Sequence, residues 1–179
     1  MDAVTGLMAA VSRDDIRAVG DLLVDAYKRD ARVFVMGNGG SAATASHLVC
    51  DLQNLLLLAT GRRFRVMSVT DNVPLITAWS NDFDYSDVFV GQITPWLEPG
   101  DLVIGISGSG NSPNVVKGIE KANEMGAVTV GLSGFKGGKL SQAAKYNIVV
   151  PSEDMQHIED LHMVLGHLLY RYALEELTA

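Results

Sequence analysis

Hydrophobic and polar positions follow two alternating patterns along the chain, and they predict strands that alternate with helices. Short apolar runs, typical of strands buried on both faces, cover residues 33–36, 64–69, 102–106, 127–132 and 146–150. Segments with apolar residues at helical spacing lie between them at 42–58, 115–125 and 153–177, and a shorter one leads to Trp79. Strands and helices in this order form a parallel sheet that helices cover on both faces. The pattern therefore predicts a doubly wound α/β fold with five strands.

The first thirty residues are expected to be a helical arm. Apolar residues recur at helical spacing from Val4 to Lys28, and Ser12 and Asp14 supply capping side chains between two segments. We expect one domain, with residues 1–30 as the arm and 31–179 as the α/β core. The arm covers either its own sheet or another subunit, and we favour an oligomer. The run of four leucines from Leu55 to Leu58 is also expected to be buried, by this chain or by a partner.

Composition excludes several classes of partner. The 179 residues are 47% hydrophobic, which is ordinary for a globular protein, and they carry a net charge of −7. This acidic balance, without a basic run, argues against a nucleic-acid surface. A single cysteine, Cys50, cannot form an internal disulfide, and no apolar run approaches the ~18 residues of a membrane span. We expect a cytoplasmic protein that binds neither nucleic acid nor membrane.

Two glycine- and serine-rich loops are the first candidate site. Residues 37–41 (Gly-Asn-Gly-Gly-Ser) and 107–113 (Ser-Gly-Ser-Gly-Asn-Ser-Pro) each follow an apolar strand and precede a helix, and Ser41 stands where a helix cap is expected. Such loops present backbone N–H groups and hydroxyls to an anion. Neither loop has the spacing of a nucleotide-binding motif. We therefore predict a phosphate site formed by Asn38, Gly39, Ser41, Ser107, Ser109 and Ser112.

Two pairs of polar residues on helices are the second candidate site. His47 and Asp51 are four residues apart and share a face of the first core helix, and Glu159 and His167 share a face of the last helix. Because burial of such groups without partners is costly, we expect the four to meet, as a plausible zinc set. His157 and His162 are expected to be surface or supporting residues.

The combination favours a reaction class. A phosphate anchor beside a metal, a carboxylate and an imidazole suits proton transfer next to a carbonyl group. That chemistry interconverts aldoses and ketoses, so a phosphorylated sugar is the expected substrate. Asp82, beside Asn81, either holds sugar hydroxyls or caps a helix, and the sequence leaves both interpretations open.

Three segments resemble the signature loops of the sugar-isomerase (SIS) domain, and specifically those of the phosphoheptose isomerases. They are residues 37–42 (Gly-Asn-Gly-Gly-Ser-Ala), 81–83 (Asn-Asp-Phe) and 105–112 (Gly-Ile-Ser-Gly-Ser-Gly-Asn-Ser), and the likeness extends over almost the whole chain. The resemblance implies a flavodoxin-like sheet and a homotetramer with sites between subunits. It further implies conversion of sedoheptulose 7-phosphate to a mannoheptose 7-phosphate, with one Zn²⁺ in each site.

The resemblance also assigns roles to residues. It implies phosphate binding by Ser41, Ser107, Ser109 and Ser112, with Asn38 beside them, and sugar contact by Asp82. It implies metal binding by His47, Asp51, Glu159 and His167. The family usually has glutamate where Asp51 stands and glutamine where Glu159 stands. The catalytic set is therefore expected to be Asp51, Glu159 and His167, with either carboxylate as the base and His167 as acid–base partner or ligand.

Two alternatives to a heptose isomerase stay open at this point. One is a non-catalytic SIS protein that binds a sugar phosphate or a protein partner. The other is an isomerase for another sugar phosphate, because a phosphate cradle beside an enediol site would also serve a pentose or a hexose.

Overall fold

Five parallel strands form the centre of the fold in a computed structural model, which describes residues 2–179. The strands are β1 (Val33–Gly37), β2 (Val66–Ser68), β3 (Leu102–Ser107), β4 (Val128–Ser133) and β5 (Tyr146–Val149). Their order across the sheet is β2-β1-β3-β4-β5, and every neighbouring pair is parallel. This is the flavodoxin-like order. The predicted doubly wound α/β fold is confirmed.

Helices connect the strands and cover both faces of the sheet. The α-helices are α1 (Asp2–Ala10), α2 (Arg13–Arg29), α3 (Gly40–Cys50), α4 (Leu56–Thr60), α5 (Val73–Asp82), α6 (Val88–Ile93), α7 (Pro113–Glu124), α8 (Gly138–Ala143) and α9 (Met155–Thr178). A π-helical turn, Asp51–Leu55, joins α3 to α4, and a 3-10 turn, Tyr85–Asp87, precedes α6.

The predicted arm consists of two helices that divide at Ser12. The Ser12 hydroxyl accepts a hydrogen bond from the Asp15 N–H, and Asp14 and Asp15 complement the helix dipole in the first turn of α2. Asp30, with a left-handed φ of 59°, ends α2. The arm packs against the last helix, since α1 and α2 both contact α9.

The core has one layer on each side of the sheet. Side chains along β1 alternate between the layers, with Val33 and Val35 in one and Phe34 and Met36 in the other. The first layer includes buried residues of α2, α3 and α9, and the second includes buried residues of α6, α7 and α8. Both faces of the sheet are therefore covered by apolar side chains, as is usual for a parallel sheet.

The helix predicted over 42–58 begins earlier and is less regular. Gly39, with φ 56° and ψ −122°, is the residue before the helix, so α3 starts at Gly40. Ser41 therefore does not cap the helix, and its side chain is buried in the first turn. Helical backbone then continues through the π turn to Thr60. A π turn inserts one extra residue and is common at functional sites.

The leucine run is only partly buried within this chain, so its predicted burial by a partner stays a prediction. Leu56 is fully buried, but Leu55 and Leu57 are partly exposed and Leu58 is 76% exposed. Leu75 and Trp96 are exposed as well. Apolar side chains are thus left uncovered by the described residues.

The strand predicted over 64–69 is shorter, at 66–68, and the short helix predicted to lead to Trp79 continues to Asp82 as α5. Within residues 2–179, no helix has the length and apolar character needed to cross a membrane.

Candidate active site

The strand order brings the two predicted phosphate loops together. β1 and β3 are neighbours at the centre of the sheet, and the winding direction reverses between them. Gly37 pairs with Ile106 at the ends of these strands, so both loops start at the same edge. Ligands of doubly wound sheets bind at this position, beyond the carboxyl ends of the strands.

The Ser107–Pro113 loop is organised by its own side chains. The hydroxyls of Ser107 and Ser112 share a hydrogen bond of 2.9 Å, and the Ser109 hydroxyl accepts the Asn111 N–H at 3.1 Å. Gly110 has a φ of 67° and packs so closely on Gly137 that a side chain would overlap it. Ser112 precedes α7 without capping it, because its hydroxyl bonds to Ser107 instead. The loop thus carries three serine hydroxyls around the turn at Gly110, a set of donors suited to an oxyanion.

Asn38 is tied to two residues that the sequence reasoning missed. Its side-chain amide exchanges two hydrogen bonds with Asn114, of 2.8 and 2.9 Å, and its Oδ1 accepts the Tyr85 hydroxyl at 2.9 Å. Asn114 lies in the first turn of α7 and is 1% exposed. In the sequence, only the position of Asn114 directly after Pro113 indicated that it belongs to the loop.

His47, Asp51 and His167 form a compact group of possible metal ligands. The two Nε2 atoms lie 2.9 Å apart, and Asp51 Oδ2 lies 3.6 Å from His47 Nε2 and 3.8 Å from His167 Nε2. One ligand atom from each residue lies within 4.8 Å of the others. Asp51 is largely buried, while the histidines are about half exposed. Two imidazoles and a carboxylate that converge beside solvent suit Zn²⁺ with an open position.

Glu159 lies at the other end of the same helix pair. Its carboxylate sits against Gly40, where a methyl group added to the glycine would overlap it. Gly166 and His167 of α9 meet Leu48 and His47 of α3, so the two helices run in the same direction. Glu159 and His167 are eight residues apart, which is ~12 Å along a helix. Glu159 is therefore beside the Gly37–Gly40 loop and outside the His47, Asp51 and His167 group.

Asp82 is the last residue of α5 and is exposed. Its Oδ1 accepts a hydrogen bond of 2.8 Å from the neighbouring Asn81 amide. It begins no helix, so the capping interpretation is not supported by its position.

His162 is a core residue and does not lie at the surface. It is fully buried on α9, and its Nε2 lies 3.2 Å from the Ser133 carbonyl oxygen. Burial lowers its pKa from 6.5 to about 4, partly offset by the contact with Ser133. His157 lies near the surface, 3.8 Å from Asp154.

Comparison with known proteins identifies the family. Residues 1–134 match the SIS domain. The chain is 38% identical over 151 residues to the phosphoheptose isomerase of Aquifex aeolicus, covering 84% of this chain and 78% of that protein. It is 36% identical over 168 residues to that of Citrifermentans bemidjiense, covering 94% and 86% of the two chains. The structure of the phosphoheptose isomerase from Neisseria gonorrhoeae superposes with a TM-score of 0.88 at 26% identity, over 97% of this chain and 92% of that one. The chain therefore belongs to the SIS domain family and, within it, to the phosphoheptose isomerases.

Proposed function

We propose that the protein interconverts sedoheptulose 7-phosphate and a D-glycero-mannoheptose 7-phosphate. The observation that carries this proposal is the distance along α3 between two kinds of polar site. The phosphate loops lie at the Gly40 end of α3, and His47 lies seven residues further on, ~10 Å along the helix. A substrate that reaches both needs several carbons between its phosphate and its carbonyl group. An extended heptose phosphate meets that requirement better than a pentose phosphate.

Neutral groups bind the phosphate in this proposal. The hydroxyls of Ser41, Ser107, Ser109 and Ser112 and the backbone N–H groups around Gly39 surround it, with Asn38 beside them. The dipole of α3 favours an anion at the same place. Asp82 accepts hydrogen bonds from sugar hydroxyls, which its exposed position at the end of α5 permits.

His47, Asp51 and His167 hold the metal, which we propose is Zn²⁺, with one ion in each site. A zinc ion held there would act as a Lewis acid toward the carbonyl oxygen. His167 is a ligand or the acid–base partner. The π turn at Asp51 supports the assignment, because it starts at a carboxylate that faces both imidazoles.

Glu159 is the base in this proposal, and its carboxylate lies outside the group that holds the metal. Asp51 Oδ2 lies 3.6 and 3.8 Å from the two imidazole nitrogens, so this carboxylate is placed to join them as a metal ligand. No hydrogen bond or ion pair of the Glu159 side chain occurs among residues 2–179, which leaves its carboxylate available. Its carboxylate lies against Gly40, at the phosphate end of α3, and must turn toward His167 to lie alongside the carbonyl end of the substrate. It would move the proton between the first two carbons.

The assembly is proposed to be a homotetramer, with sites between subunits, in the cytoplasm. The exposed leucines at 55, 57 and 58 support burial against another subunit, because contiguous apolar surface usually marks an interface. An acidic chain without a basic run supports a small anionic substrate over nucleic acid.

The test compares Glu159→Gln with Asp51→Asn in the purified protein. Turnover of sedoheptulose 7-phosphate is followed by NMR, and bound zinc is measured separately. Glu159→Gln should lower kcat by about 10²-fold or more, since a general base contributes that much, and should retain zinc. Asp51→Asn should lose zinc affinity by about 10-fold or more. Normal turnover in Glu159→Gln would make Asp51 the base. If the wild-type protein turns over no phosphorylated ketose, with or without zinc, it is a binding protein.

A further inference from the structure

Asn114 is a buried amide that joins the two phosphate loops. It lies in the first turn of α7 and is 1% exposed. Asn38 Nδ2 donates to Asn114 Oδ1 at 2.8 Å, and Asn114 Nδ2 donates to Asn38 Oδ1 at 2.9 Å. These residues are 76 positions apart in sequence and follow different strands, β1 and β3. The amide pair is thus a direct polar link between the loops.

The surroundings fix the orientation of this pair. The backbone N–H of Val115 donates to Asn114 Oδ1 at 3.0 Å, which determines which end of the Asn114 side-chain amide is the oxygen. Asn38 Oδ1 also accepts the Tyr85 hydroxyl at 2.9 Å. The Tyr85–Asp87 turn is itself held to α7, because Lys117 Nζ donates to Ser86 Oγ and pairs with Asp87 at 2.7 Å. Rotation of the Asn38 side chain would break three hydrogen bonds.

A link of this kind matters because the loop after β1 has little intrinsic rigidity. Gly37, Gly39 and Gly40 dominate it, and glycine gives the backbone many accessible conformations. Phosphate binding requires its N–H groups to point at the same place as the hydroxyls of the Ser107–Pro113 loop. Neutral hydrogen bonds lose strength steeply when they are misaligned.

We propose that Asn114 is a positioning residue that acts through Asn38 to hold both loops in one phosphate-binding arrangement. This rests on the proposed function of the loops as a phosphate site. Asn114 touches Asn38 and the backbone of α7, so its effect on the ligand is indirect. A purely structural role would lower stability without a selective effect on phosphate.

The test measures binding of inorganic phosphate by calorimetry and, separately, KM and kcat for sedoheptulose 7-phosphate. Asn114→Ala should weaken phosphate binding and raise KM by about tenfold, the effect of losing one or two hydrogen bonds at a buried position, while kcat changes by less than about threefold. Tyr85→Phe removes one exposed hydrogen bond without threatening the fold, and should raise KM by about two- to threefold.

A double-mutant cycle with Asn38→Ala tests whether Asn114 acts through Asn38. Asn38→Ala/Asn114→Ala should bind phosphate no more weakly than Asn38→Ala alone, because the second substitution then removes nothing further. The matched control is Asn123→Ala on the same helix. Asn123 also makes two side-chain hydrogen bonds, with Ala143 and Thr129, each 2.8 Å long. It should lower the melting temperature but leave phosphate affinity unchanged.

Three results would overturn the inference. One is wild-type phosphate affinity in folded Asn114→Ala, and another is an equal loss in Asn123→Ala. The third is additive losses in the double variant. Failure of the wild-type protein to bind phosphate is a different result, since it overturns the proposed phosphate site and this inference with it. Phosphate binding without turnover leaves the inference standing and contradicts only the proposed reaction.

Discussion

His162 gives the stability of the fold a measurable dependence on pH. Its ring is fully buried, and among the described residues Nδ1 has no hydrogen-bond partner. Burial lowers its pKa from 6.5 to about 4 because the charged ring would lose its hydration. Above pH 6.5 the ring is neutral in both states, so its contribution to stability is fully present. Between pH 6.5 and about 4 the unfolded chain takes up a proton that the folded protein excludes, so stability falls as pH falls. At about 1.36 kcal/mol per pKa unit, the difference corresponds to about 3 kcal/mol.

His162→Leu removes this titration with little other cost. The Ser133 carbonyl keeps a second hydrogen bond, from the Val150 N–H at 2.8 Å, so the substitution leaves no orphaned acceptor there. Urea unfolding followed by circular dichroism, at one protein concentration and from about pH 7.5 to about pH 4, gives the free energy of unfolding of both proteins. The other three histidines are common to both, so the difference between the two curves belongs to His162. The variant should gain about 3 kcal/mol relative to wild type as pH falls across this window. Parallel curves would refute the reasoning.

Two further substitutions test the phosphate site and the assembly. Ser109→Ala should raise KM by about tenfold with little change in kcat, because it removes one proposed phosphate contact and the hydrogen bond that orders Asn111. Ser141→Ala, whose hydroxyl bonds to Gly138 in α8, is the control, and an equal effect there would contradict the assignment. Leu58→Glu should dissociate the proposed tetramer, since a charge at a 76% exposed leucine is harmless in a monomer and costly in an apolar interface. Light scattering measures the mass, and an unchanged tetramer would exclude Leu58 from the interface.

Much of the fold could be predicted because its signals are local. Fully apolar runs that alternate with amphipathic helices leave few arrangements other than a parallel sheet between two helical layers. The signal is weaker where propensity and packing compete. Three glycines let α3 begin at Gly40, before the serine that was expected to cap it. β2 is short because it is the edge strand and has only β1 to pair with.

The site could be predicted in outline, because residues at the ends of parallel strands and on shared helix faces have predictable neighbours. His47, Asp51 and His167 lie together as the spacing indicated. The spacing did not indicate that the Glu159 carboxylate lies at the other end of α3 from this group, against Gly40. The contact between Tyr85 and Asn38 joins residues 47 positions apart, and no periodic pattern in the sequence indicates such a contact. It depends on side-chain rotamers that only the assembled loops determine.

The two departures from the usual family pattern are best understood together. Where the family usually has glutamate, this chain has Asp51, whose shorter side chain lies close to both imidazoles and has less reach toward a substrate carbon. Where the family usually has glutamine, this chain has Glu159, which can accept a proton at the position facing Gly40. Loss of the longer carboxylate at one position alone would leave the proposed reaction without a well-placed base. Gain of a carboxylate at the other position supplies the proposed base, Glu159, while the shorter carboxylate still suits a metal. The proposed exchange of roles thus retains the required ligand and base with different residues, because each function depends on where a carboxylate lies and not on which helix carries it.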